Sequence, residues 1–200
     1  IEGIGDKHIP WIHNVKNTDM VIDIDDEDSQ RLLRLFNTPE GRTYLKEELR
    51  LGPELVEQLT WLGISGIANV LCCIKMAKYY EFTSRDVVGT VLTDSAAMYQ
   101  SRIGELNGEY GAYTVHEAAL DHGVHMLAVK TDSMQELTYA DRKRVHNLKY
   151  YTWVEQQGKT VEELNALWYE GIWDAVHAQA KDLDELIDAF NEATGLLKAL

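Results

Sequence analysis

The stretch Val87-Val88-Gly89-Thr90-Val91-Leu92-Thr93-Asp94-Ser95-Ala96-Ala97-Met98-Tyr99 decides how this chain is read. Its first half, Val87 to Leu92, is short and β-branched and predicts a buried strand. Thr93-Asp94-Ser95 are residues that favour helix N-caps, and Ala96-Ala97-Met98 favour the helix itself. A strand running into a capped helix at the carboxyl edge of a parallel sheet is where open α/β folds place ligands. Ser95 would then direct its hydroxyl into a crevice.

Upstream, Gly63-Ile64-Ser65-Gly66 introduces a strongly apolar helix, Ile67 to Tyr80. Its face of Ala68, Leu71, Cys72 and Met76 predicts packing against a sheet. Asp19–Asp25 alternates and predicts an earlier strand, so strand, helix and strand follow in the order of a right-handed βαβ unit. Between them lie three further helical segments, Ser29–Phe36, Arg42–Leu51 and Glu54–Leu62, broken by Asn37-Thr38-Pro39-Glu40-Gly41 and Gly52-Pro53. The acids Asp25-Asp26-Glu27-Asp28 lack the glycine and spaced ligands of a calcium loop, and suit a helix N-terminus instead.

Beyond Tyr99 the pattern changes. Asn107-Gly108-Glu109-Tyr110-Gly111 reads as a loop, Tyr113–Leu127 as one helix, and Thr138-Tyr139-Ala140-Asp141 as the start of another ending near Gln157 with Gly158 as its stop. Thr160-Val161-Glu162-Glu163 is a capping box opening a third helix, and Asp182-Leu183-Asp184-Glu185 opens a fourth that Gly195 closes. Trp153, Trp168 and Trp173 are expected to anchor the core of this part.

Two hundred residues carry a net charge of −14. No basic patch exists to neutralise phosphates, which argues against nucleic acid and against an anionic membrane surface. The longest apolar stretch, around Ile64–Met76, is interrupted by Ser65, Asn69 and Lys75, so no membrane span is expected. Cys72 and Cys73 are adjacent and make no disulfide framework, which points to a cytoplasmic setting. His116 and His122 are six apart, whereas a His-Glu-x-x-His zinc helix needs four. His122 and His125 lack a third ligand, so no metal is expected.

Three segments, taken in order, carry a resemblance. Glu2-Gly3-Ile4-Gly5 with Ile9-Pro10, then Gly63–Gly66 with Ile74-Lys75-Met76-Ala77-Lys78, then Val91–Tyr99 resemble the C-terminal half of pyridoxal-phosphate enzymes of the cysteine synthase and cystathionine β-synthase family, which have the tryptophan synthase β-like fold, type II. The likeness covers about residues 1–105. It implies an α/β domain, a partial parallel sheet flanked by helices, over residues 1–106, with residues 37–62 as a helical insertion and residues 107–200 as a helical extension.

The resemblance further implies pyridoxal 5'-phosphate as cofactor. Ser95 would hydrogen-bond the pyridine nitrogen, with Asp94 beside it, and Gly3 and Gly5 would let backbone approach the ring. A neutral hydroxyl at that nitrogen makes a weaker electron sink than an acid, which suits elimination and replacement at the β-carbon. The implied activity is that of a lyase or transferase acting on serine or an O-acylserine; a threonine synthase-like or ammonia-lyase relative is the alternative. The family's reactive lysine matches none of Lys7, Lys75 or Lys78. The chain opens on Ile1 rather than Met, so that lysine is expected in an N-terminal part of the same enzyme, and this chain by itself is expected to be inactive. Expected partners are a small amino-acid substrate, that missing part and a second copy in a homodimer. The turn at Gly66-Ile67 departs from the family's usual Ser-Gly. A reading of a different class is a non-catalytic helical interaction module on a degenerate fold.

Overall fold

Asp25 caps the helix that organises the fold, its side chain accepting the Glu27 N–H at 2.8 Å. The computed structural model describes residues 8–195. Helix α1 (Asp26–Asn37) places three acids in its first turn, where the macrodipole favours them, and buries Leu32, Leu33, Leu35 and Phe36. Thr38 then ends α1 and caps α2 (Pro39–Glu47), whose first turn holds Pro39. Short α3 (Pro53–Leu59) leads to α4 (Ile64–Tyr79). A 3₁₀ turn at Ala96–Tyr99 opens α5 (Gln100–Tyr110), and α6 (Val115–His122) runs on into a π-helical turn, Gly123–Leu127.

Packing divides the described chain into two units, residues 21–135 and residues 8–20 with 136–195. In the first, α1 is the hub, touching α2, α4, α5 and α6. Leu33, Val56, Ile67 and Leu71 belong to one apolar cluster there. In the second, α7 (Tyr139–Lys149) continues as a π-helical turn, Tyr150–Val154, and is followed by α8 (Val161–Ala166), α9 (Glu170–Ala178) and α10 (Ala180–Thr194). Trp168 is buried there with Leu164, Leu167 and Val15. It stands edge-on to His146 at 5.2 Å and under the Lys143 ammonium at 4.4 Å.

The expected α/β fold with a partial parallel sheet is not what forms. The described residues are mostly helical, and their sheet has two strands, β1 (Met20–Ile22) and β2 (Met134–Glu136). The pairing is antiparallel: Asp23 N–H donates to the Ser133 carbonyl at 2.9 Å and Leu137 N–H to the Asp19 carbonyl at 2.8 Å. The physical reason lies in the Val87–Leu92 run. It joins no ladder, with Val87 95% and Val91 69% exposed. A parallel strand needs neighbours on its edges and helices on its faces. Among the described residues the other strand-forming run, at Met20–Ile22, pairs with Met134–Glu136 instead. The expectation that α4 packs against a sheet falls for the same reason. Its Ile64, Ile67, Ala68 and Leu71 are buried, and its main partner is α1.

No single helix among the described residues is long and apolar enough to cross a membrane. Cys72 and Cys73 are free thiols, and burial pushes the Cys72 thiol up from its ordinary value.

Candidate functional site

The segment Leu92–Ser95 lies against the start of α4. Gly63 N–H donates to the Asp94 carbonyl at 3.1 Å, and the Asn69 side-chain amide donates to the Val91 carbonyl at 2.8 Å. A Cβ at Gly63 would fall 2.5 Å from the Asp94 carboxyl carbon, so this approach requires glycine. Two of the three segments that carry the family resemblance, Gly63–Gly66 and Val91–Tyr99, are thus adjacent in space. The third contains Gly3 and Gly5, which lie outside the described residues.

Asp94 is held from two sides. Its backbone accepts from Gly63, and one carboxylate oxygen accepts from the Tyr99 hydroxyl, which keeps the Tyr99 phenol above its ordinary pKa. The other oxygen is buried and without a hydrogen-bond partner. The carboxylate also stands beside the N-terminus of α4, where no side chain caps the helix and the macrodipole favours negative charge.

Ser95 is the N-cap of the 3₁₀ turn, its oxygen accepting the Ala97 N–H at 3.3 Å. That bond uses a lone pair and leaves the hydroxyl hydrogen free to donate. Ala96 behind it is buried, whereas Ser95 itself is partly open. The turn therefore presents a neutral donor with a fixed carboxylate next to it.

Sequence reasoning passed over a second constellation, around α1. His125 Nδ1 lies 2.6 Å from Asp28, and the buried Lys75 ammonium donates to the Asp23 carbonyl at 2.9 Å and to Asp132 at 3.4 Å. Asp23, Asp28, Lys75 and Asp132 border a cavity of about 310 Å³ that is also lined by Asp25, Glu27 and Lys130. Lys75 is thereby an ion-pair partner in an acidic bowl. Among the described residues no three His, Cys, Asp or Glu side chains gather in a way that would hold a metal ion. His122 instead bonds the Tyr44 hydroxyl at 3.1 Å, and burial lowers its pKa.

Arg34, fully buried in the middle of α1, is the other polar feature the sequence hid. It donates to Asn107 at 2.8 Å and to the Gly111 carbonyl, and stacks 4.6 Å from the Tyr113 ring. Tyr113 in turn donates to Asp121 at 2.8 Å, and desolvation drives the pKa of both upward. A buried guanidinium with these partners positions the loop after α5. Its signal in sequence is absent, because one arginine inside an amphipathic helix normally faces water.

No family model, curated protein or solved structure matches this chain.

Proposed function

We propose that the chain is part of a pyridoxal-phosphate-dependent lyase or transferase that acts at the β-carbon of a small amino acid, of serine or O-acylserine type. The observation that carries the reading is the juxtaposition of the Gly63–Gly66 turn with Asp94-Ser95, at 3.1 Å across the Gly63–Asp94 backbone bond. Gly63 and Asp94, 31 positions apart in two segments that carry one family resemblance, meet at one place.

The donor set suits the group. Ser95 keeps a hydroxyl hydrogen for a ring nitrogen, and the Asp94 carboxylate, with one oxygen buried and the other fixed by Tyr99, holds the turn in place. Bound there, the cofactor would supply the electron sink for a carbanion at the substrate's α-carbon, and a neutral donor keeps that sink moderate. Ser95 would hold the ring nitrogen through its hydroxyl hydrogen. Asp94 sets the turn's conformation. The reading rests on this turn, since the partial parallel sheet that the resemblance implies does not form among the described residues. It carries with it a cytoplasmic location, a lysine supplied by another part of the enzyme, and a homodimer. A threonine synthase-like or ammonia-lyase relative uses the same turn.

The test is binding of 4'-deoxypyridoxine 5'-phosphate, which has no aldehyde and so ignores surface lysines. The expected result is saturable movement of the Ser65, Gly66, Ser95 and Ala97 amide resonances. Ser95→Ala should weaken binding roughly 2- to 10-fold, the worth of one hydrogen bond. Unmoved amides, or equal binding by the Ser95→Ala protein, would overturn the reading.

A second reading, a non-catalytic helical interaction module, is favoured by one observation. The apolar side chains of α10 stand in solvent, with Leu186 67% and Phe190 61% exposed.

A further inference from the structure

α10 and a groove on α7 are complementary in polarity and charge. On α10 the residues Leu183, Leu186, Ile187 and Phe190 follow the i, i+3, i+4, i+7 spacing of one helix face. All four are more than half exposed, and the element that packs most on α10 is α9. Asp182 and Asp184 flank this face at helical spacing, and Asp188 lies one turn beyond Asp184. The helix is thus an acidic amphipath with its apolar side uncovered.

The groove runs between α7, the π-helical turn after it, and α8. It has a volume of about 860 Å³ and its apolar walls include Tyr139, Leu148, Tyr150, Tyr151, Val161 and Leu164. Lys143 and Arg144 also line it, and no carboxylate does. Arg144 is exposed and only loosely paired, 3.7 Å from Asp141. In a chain of net charge −14, an aromatic groove bordered by two cations is the exception. It fits an acidic amphipathic helix laid in by its apolar face.

We propose that this groove takes α10 of a second copy of the chain. The chain's own α10 leaves its face in solvent, so the groove stays open to a partner. Each copy has one groove and one such helix. Two copies can therefore exchange them, and the arrangement closes with twofold symmetry. Charge complementarity selects the occupant: Asp182 and Asp184 at the borders of the apolar face meet Lys143 and Arg144. The proposal does not depend on the cofactor reading.

Sedimentation equilibrium of the chain from about 1 to about 100 µM tests it. A dimer is expected. Leu186→Glu on α10, and separately Arg144→Glu in the groove, should each raise the dissociation constant at least about tenfold. Asp184→Arg combined with Arg144→Glu should recover most of the Arg144→Glu loss. Leu186 and Arg144 are exposed, so unchanged circular dichroism will show that both variants fold. A monomer at the highest concentration, including one whose α10 folds back on its own groove, would overturn the proposal. So would a dimer that neither substitution weakens.

Discussion

Replacing Gly63 by alanine would bring a methyl carbon to 2.5 Å from the Asp94 carboxyl carbon, so the Asp94 side chain must shift and disturb the Tyr99 bond that fixes it. The expected cost is about 1–3 kcal/mol, read as a lowered urea midpoint. His146 makes a pH prediction. Burial, with the nearby cations Lys143 and Lys149, pushes its pKa down to about 4 from an ordinary 6.5, while Nε2–H donates to the Leu164 carbonyl. The folded protein therefore binds fewer protons than the unfolded chain between those values. Stability due to this group is complete above pH 6.5 and is lost as pH falls from 6.5 to about 4, by an amount of order 3 kcal/mol. Urea denaturation at a series of pH values should show that acid limb, and His146→Gln should flatten it. Ser95 and Asp94 could be singled out in the sequence because N-cap residues follow a β-branched run there. The burial of Arg34 and His146 could not, since it depends on which helices pack over them.

At the scale of the element, local chemistry was legible and pairing was not. The capping box at Thr160 forms as expected, with Thr160 Oγ accepting the Glu163 N–H at 3.1 Å and Glu163 accepting the Thr160 N–H at 2.8 Å. Gly195 closes α10 in the left-handed region, φ 66°. These signals reside in four or five neighbouring residues. Thr160→Ala should cost about 1 kcal/mol, measured by thermal unfolding. Val87–Leu92 has the composition of a strand, yet a strand is a relation between segments, and no described segment adopts that relation with it. The strand β2 was missed for the converse reason: Met134-Gln135-Glu136 has little β-propensity and is recruited by Met20–Ile22. Val87→Ser discriminates the two readings. On the exposed segment it should change stability by under about 0.5 kcal/mol, whereas a buried strand would lose several times that.

Across the whole molecule, the helices between residues 26 and 79 were foreseen to within a few positions, and their apolar faces were visible as 3.6-residue periodicity. Their partner was misassigned, because an apolar helix looks the same whether a sheet or another helix covers it. The cover is α1, and Leu33, fully buried at the hub, is the residue to remove. Leu33→Ala should cost about 2–5 kcal/mol in urea denaturation. The candidate site was visible only in part: Asp94-Ser95 and Gly63–Gly66 could be quoted in order, but their adjacency is a tertiary fact.

The buried Lys149 has a consequence for how this chain can vary. Its ammonium donates to the carbonyls of Trp11 and His13, at 2.9 and 2.7 Å. Trp153 donates to the carbonyl of Ile9 at 2.8 Å, and Arg142 to that of Thr18, also at 2.8 Å. Every one of these stitches joins a side chain of the later segment to the peptide backbone of the earlier one. A carbonyl is supplied by any amino acid. Saturation mutagenesis should therefore find residues 9–18 permissive where their own side chains are exposed, while Arg142, Lys149 and Trp153 tolerate almost nothing, because these four bonds need a particular side chain only in the later segment.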